Sequence, residues 1–175
     1  MKITLNDQDA SLCHLAALIK LVKSHGTMGR TPRYNAALNF HERVTELSEA
    51  IAAELAVSRA LGYPYDAFKD TFKTEADVGQ NLEIKWTSFD NGHLIVYPTD
   101  RNTDIAILVT NRHPDYVIKG WMPVSIAKKD RYKKDNQDSW WVSQINLQPI
   151  ETLERSNFAH TIGSMSNLQE NNEAS

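Results

Sequence analysis

Apolar residues recur at three- and four-residue spacing early in the chain: Leu12, Leu15, Ala16, Ile19 and Val22. This period predicts an amphipathic helix over residues 9–25, capped by Asp9 or Ser11 and followed by Gly26. Residues 26–38 carry Gly, Pro and two Arg and read as a loop. A second helical pattern covers 40–61. Leu47, Ile51, Leu55 and Ser58 form one stripe, and Ala50, Ala53, Glu54, Val57 and Leu61 an adjoining face of mostly small apolar residues. Gly62 and Pro64 end it.

Near residue 81 the period drops to two. Leu82, Ile84 and Trp86 alternate with Glu83, Lys85 and Thr87, as on a strand with one buried face. Asp90-Asn91-Gly92 is a hairpin signal. Apolar strands follow at His93–Tyr97, Ile105–Thr110 and Asp115–Met122, with a polar turn at 98–104. A short helix within 123–135 and a strand or turn at Trp140–Leu147 complete the ordered part. Helices first and hairpin-linked strands afterwards predict a mixed β-sheet flanked by helices, in the α/β or α+β class. Residues 1–39 read as an N-terminal helix and loop, 40–154 as the core, and 155–175 as a polar, poorly ordered tail.

Length and composition narrow the possibilities. A chain of 175 residues can bury a core without disulfides or a structural metal. Its one cysteine, Cys13, cannot form an internal disulfide or a cysteine-based zinc site. No uncharged apolar run is long enough to span a bilayer. The opening Met1–Asp7 lacks a secretory apolar stretch, so a reducing, cytoplasmic compartment is expected. Net charge is −3, and it comes entirely from the last 25 residues, which hold one Arg and four Glu. The remainder balances 18 basic against 18 acidic residues. A constitutive nucleic-acid coat protein would be strongly basic; an enzyme with one local basic face is compatible with this balance.

The chemistry concentrates in Asp77-Val78-Gly79-Gln80-Asn81-Leu82-Glu83-Ile84-Lys85. Glu83 and Lys85, two apart on a strand, project from one face. A turn at Gly79 can bring Asp77 alongside Glu83. Two carboxylates converging with an ammonium make sense around a hard divalent cation, which takes oxygen ligands. A third carboxylate, Glu54, interrupts the alanine-rich helix face, with Glu46 and Glu49 as competitors on the same helix. The ordinary alternative is a solvated strand face carrying a Glu–Lys pair, with Glu54 paired to Ser58 or Arg59.

These residues resemble the PD-(D/E)XK nuclease superfamily, the restriction-endonuclease-like fold, and within it a group of small phage and metagenomic members. The resemblance rests on Ala53-Glu54-Leu55-Ala56-Val57-Ser58-Arg59-Ala60-Leu61, Asp77-Val78-Gly79 and Glu83-Ile84-Lys85. It continues through Asn91-Gly92-His93-Leu94-Ile95-Val96, Gly120-Trp121 and Trp141-Val142-Ser143-Gln144-Ile145-Asn146-Leu147, covering about 45–150. Ala76 stands where the superfamily usually has Pro. The resemblance implies a restriction-endonuclease-like core with a central mixed β-sheet and helices outside. It implies Mg²⁺, replaceable by Mn²⁺, bound by Asp77, Glu83, the Ile84 carbonyl and Glu54. Lys85 would polarise the attacking water. The reaction would be hydrolysis of DNA phosphodiesters to 5′-phosphate and 3′-hydroxyl ends, in a bacterial or phage-infected cell. A homodimer is a further expectation from that resemblance. The alternative is a nucleic-acid-binding or assembly protein that keeps the fold without cutting.

Lys128, Lys129, Arg131, Lys133 and Lys134 form a basic strip, read either as phosphate contacts or as a solvated loop paired with Asp135 and Asp138. Arg30 and Arg33 are weaker candidates of the same kind. Trp121, Trp140 and Trp141 suit core positions, with base stacking as the alternative. Gln144 is a candidate to line the site. His93 and His113 read as structural histidines, with proton donation as the alternative. Zinc-hydrolase spacing, phosphate-binding Gly-rich loops and covalent-catalysis motifs are absent from the sequence.

Overall fold

A computed structural model describes residues 1–24, 38–69, 75–156 and 158. Helix α1 spans Asp7–Lys23 and helix α2 spans Phe40–Leu61. The first starts earlier than its apolar period because Asn6, rather than Asp9 or Ser11, caps it. The Asp9 N–H donates to the Asn6 side chain at 3.0 Å, and the Asn6 N–H donates back to the Asp9 carboxylate at 3.1 Å. Asn39 and Glu42 repeat this reciprocal cap on α2. At the other end of α2, Gly62 takes a left-handed φ of 71°, open to glycine at no steric cost. The two helices are stapled by Arg59, whose guanidinium donates twice to the Asp9 carboxylate at 2.5 Å each.

Strands β1 (Lys2–Thr4), β2 (Leu82–Thr87), β3 (Leu94–Val96), β4 (Ile105–Thr110), β5 (Asp115–Pro123) and β6 (Trp140–Val142) form two sheets. The larger runs β1-β5-β4-β2, with β2 parallel to β4 and the remaining pairs antiparallel. The chain is therefore α/β with a mixed sheet. Strands β3 and β6 pair separately as an antiparallel ribbon.

The hairpin expected at Asp90-Asn91-Gly92 does not join neighbouring strands. Gly92 N–H closes a turn on the Phe89 carbonyl, but β3 leaves the sheet and β2 pairs with β4. The reason lies in β4, which is buried at every position and so must be covered on both faces. Strand β1 escaped the sequence pattern because three residues show no period; it registers Lys2 against Val117 on β5.

The result is three layers. Ile105, Ile107 and Val109 of β4, with Leu82 and Ile84 of β2, pack against α1 and α2. Ala106 and Leu108 pack the other way, against Leu94, Val96 and Val142 of the ribbon and against Val124 and Ala127 of the short helix α3 (Val124–Ala127). Glu83 and Lys85 alternate with Leu82 and Ile84, so they stand on the ribbon side of β2. Cys13 is buried between the helices, and burial pushes its thiol up to about 12, which makes it inert. Among the described residues, no helix is long and apolar enough to cross a membrane.

The Arg59 bond, together with the cap, holds the Asp9 carboxyl below its ordinary value. A depressed folded-state value means that this stabilisation is present above the ordinary aspartate range and is lost as pH falls through the folded value. Asp9→Ala removes the staple and the carboxylate half of the cap and should cost about 2 kcal/mol by urea unfolding at neutral pH. Arg59→Ala, which spares the cap, should cost less, and both differences should shrink in acid.

Candidate functional site

Asp77 reaches the site through a tight reversal. Val78 and Leu82 exchange backbone hydrogen bonds at 3.1 and 3.2 Å across Gly79, whose φ is 61°. The segment thus lies antiparallel along the outer edge of β2, opposite β4. That places Asp77 level with Glu83, and the Ile84 N–H donates to the Asp77 carboxylate at 2.8 Å. The turn at Gly79 acts as the sequence suggested.

Glu54 arrives from the helix layer. Residues 51–58 are buried at every position except Glu54, which is half-buried. Its carboxylate accepts the Tyr65 hydroxyl at 2.5 Å. The pairing with Ser58 or Arg59 is not formed: Ser58 donates to the Tyr63 carbonyl and Arg59 is held by Asp9. The competitors are engaged elsewhere, Glu46 with Arg112 and Glu49 with the Tyr116 hydroxyl. A pocket lined by Glu54, Tyr65, Asp66, Lys69, Asp77 and Gly79 opens on this side.

From the ribbon side come Glu83 and Lys85, joined at 2.8 Å. Lys85 also pairs with Asp100 at 2.8 Å, a residue that sequence reasoning placed only in a polar turn. Beside them, Arg101 is fixed by Asp104 at 2.8 Å. This hydrogen bond raises the Arg101 guanidinium above its ordinary value, and the charges of Glu83 and Asp77 raise it further.

Electrostatics ties the two sides together. The Asp77 carboxyl is pushed well above the usual range, first by burial, then by the charges of Glu54 and Glu83; the Ile84 N–H and Lys85 oppose this only in part. Lys85 shows the opposite balance. Burial alone would lower it, but Glu83 and Asp100 together hold it above the ordinary lysine value, so it is a firm ammonium. Burial, then Glu54, raises the Tyr65 phenol, which remains a donor.

Comparison of the chain with protein-family models, curated proteins and solved structures finds no match. The functional reading therefore stands on this geometry. Glu83 and Lys85 pair on the ribbon side of β2, Asp77 accepts the Ile84 N–H at the edge of that strand, and Glu54, on the helix side, accepts the Tyr65 hydroxyl. The donors are all oxygens, as a hard divalent cation requires. Among the described residues, though, no group of three or more His, Cys, Asp and Glu side chains is drawn together at metal-holding spacing. The acids approach from two faces of one strand, which keeps them apart.

The other candidates scatter. Lys128 donates to the Pro98 and Asp100 carbonyls at 3.2 and 2.6 Å. Lys133 pairs with Asp138 and lies 4.1 Å from the centre of the Trp140 ring. Lys134 sits 5.3 Å over Trp141, and Arg131 4.6 Å over Tyr132. Lys129 is exposed. Trp121 is core, its indole N–H bonded to Pro149 and Thr152. Gln144 turns to the Asp90 and Gly92 carbonyls, bracing that turn. His93 packs beside Trp141, and His113 lies near Asp7. Arg30 and Arg33 fall outside the described residues.

Asp77 holds its proton more tightly in the folded chain than in the unfolded one. Metal-free stability should therefore fall as pH rises from the ordinary aspartate range through the raised value. Asp77→Asn should flatten that limb and stabilise the metal-free protein at neutral pH by on the order of 1 kcal/mol, read from unfolding in chelator.

Proposed function

We propose that this chain is a divalent-metal-dependent nuclease that hydrolyses DNA phosphodiesters, on a core of the restriction-endonuclease-like kind. The observation that carries the reading is the crowding of Glu54 and Glu83 on the buried Asp77 carboxyl, with the Lys85 ammonium alongside. A buried acid whose proton affinity is raised by neighbouring charges is costly to ionise on folding, and a bound cation offsets that cost.

Asp77 and Glu83 would hold Mg²⁺ or Mn²⁺, with the Ile84 carbonyl and Glu54, directly or through water. Such a cation, when bound, stabilises charge on the phosphate's non-bridging oxygens and makes hydroxide accessible near neutral pH. The chain's own residues do the rest. Lys85 presents a positive charge to the phosphate and orients water. Tyr65 fixes the Glu54 carboxylate, and Arg101 adds positive potential beside the anions. Arg131, Lys129 and Lys134 track the nucleic-acid backbone from the exposed strip.

One observation favours the second reading, a nucleic-acid-binding protein that does not cut: the acids are not gathered at metal-holding spacing. A cleavage assay decides. Purified protein is incubated with supercoiled plasmid, linear duplex, single strands and branched DNA, with Mg²⁺, Mn²⁺ or chelator. Cutting should require metal and fall by about 100-fold or more in Glu54→Gln, Asp77→Asn, Glu83→Gln and Lys85→Ala. Equal activity in all four variants marks a contaminant, and inertness on every substrate with retained DNA binding selects the second reading. Arg131→Ala and Lys134→Ala should each weaken DNA binding and lower its salt slope by about one, measured by anisotropy.

A further inference from the structure

We propose that Asp100 is a positioning residue that fixes the Lys85 ammonium beside Glu83, and that Lys128 is the brace that holds Asp100 there. The inference rests on the hydrolytic reading of the site and assigns two residues to it.

Asp100 closes a turn that begins at Tyr97. Its N–H donates to the Tyr97 carbonyl at 3.0 Å, and its carboxylate accepts the Tyr97 N–H at 2.9 Å. Pro98 stands second in the turn, where its fixed φ suits the bend. The side chain of Asp100 is only 6% exposed, and the same carboxylate oxygen that accepts from Tyr97 takes the Lys85 ammonium at 2.8 Å. From behind, Lys128 donates to the carbonyls of Pro98 and Asp100. The Tyr97 ring lies 5.8 Å from the Lys85 ammonium.

Lysine is a flexible side chain, and a single carboxylate partner would hold it loosely. Glu83 is also the group expected to give its charge to a cation, and Lys85 would then lose its anchor. Asp100 belongs to a different segment from Glu83, the turn at 97–100 after β3. It supplies an anchor that persists whatever Glu83 binds. Lys128, read from sequence as a phosphate contact, is half-buried and spends its donors on the turn. Its role is thus within the site, and the exposed strip proper begins after it.

The test uses the full chain, labelled with ¹⁵N. An ammonium held between two carboxylates exchanges its protons slowly, so the Lys85 Nζ signal should appear in metal-free wild type and vanish in Lys85→Met. Asp100→Asn should abolish it or speed exchange by about 10-fold or more, and Lys128→Met should move it the same way. Asp100→Glu should restore it in part, and Asp104→Asn should leave it unchanged. On the best DNA substrate, Asp100→Asn should lower kcat by about 10- to 100-fold, with KM and Mn²⁺ affinity little changed. An unaltered Lys85 signal in a folded Asp100→Asn variant overturns the proposal, whatever the activity. Loss of Mn²⁺ binding with the signal intact also overturns it, and makes Asp100 a ligand. If wild type cuts nothing but the signal responds as stated, the hydrolytic reading fails while the positioning contact stands.

Discussion

The structure turns on a carboxylate that is held where its charge is least welcome. Asp77 is fixed by the Ile84 N–H at the open edge of β2, with Glu54 on one side and Glu83 on the other. Its neighbours are rigid: Glu54 rides on a helix buried around it, and Glu83 lies in a strand paired along its length with β4. Both stay near enough for their charges to act on Asp77. Lys85 offsets part of it, but shares itself between Glu83 and Asp100. A fold that retains such crowding bears a cost that ordinary surface ion pairs do not.

The layering explains how residues far apart in sequence meet. A central strand buried on both faces forces helices to one side and the β3–β6 ribbon to the other. Strand β2, at the end of the sheet, is the place where both layers can reach one backbone. The helix layer delivers Glu54 and Tyr65. The ribbon side delivers the turn with Asp100, and the return of the chain across Gly79 delivers Asp77. The same arrangement sets a two-sided approach of the acids, which leaves room between them.

Much of this was legible in the residues. The bounds of α2 and β4, the alternation in β2 and the turn at Gly79 follow from period and from local backbone preference. Glu54 stood out because it interrupts a small apolar face. What escaped was long-range. Whether β2 takes β3 or β4 as its neighbour depends on covering β4 twice, a demand that a hairpin signal does not express. Asp100 and Tyr65 carry no spacing relation to the residues they touch, although Pro98 and Asp100 after a buried strand do mark a side-chain-stabilised turn. Lys128 looked like the other cations of its strip, and only its burial against the turn separates it from them.

The most direct test of the central claim is anomalous diffraction from crystals soaked in Mn²⁺. The account predicts one strong peak at the β2 edge, about 2.2 Å from oxygens of Asp77 and Glu83, with Glu54 closing on it directly or through one water. An ion bound elsewhere, or no peak there at saturating Mn²⁺ with both carboxylates in their metal-free places, would contradict it.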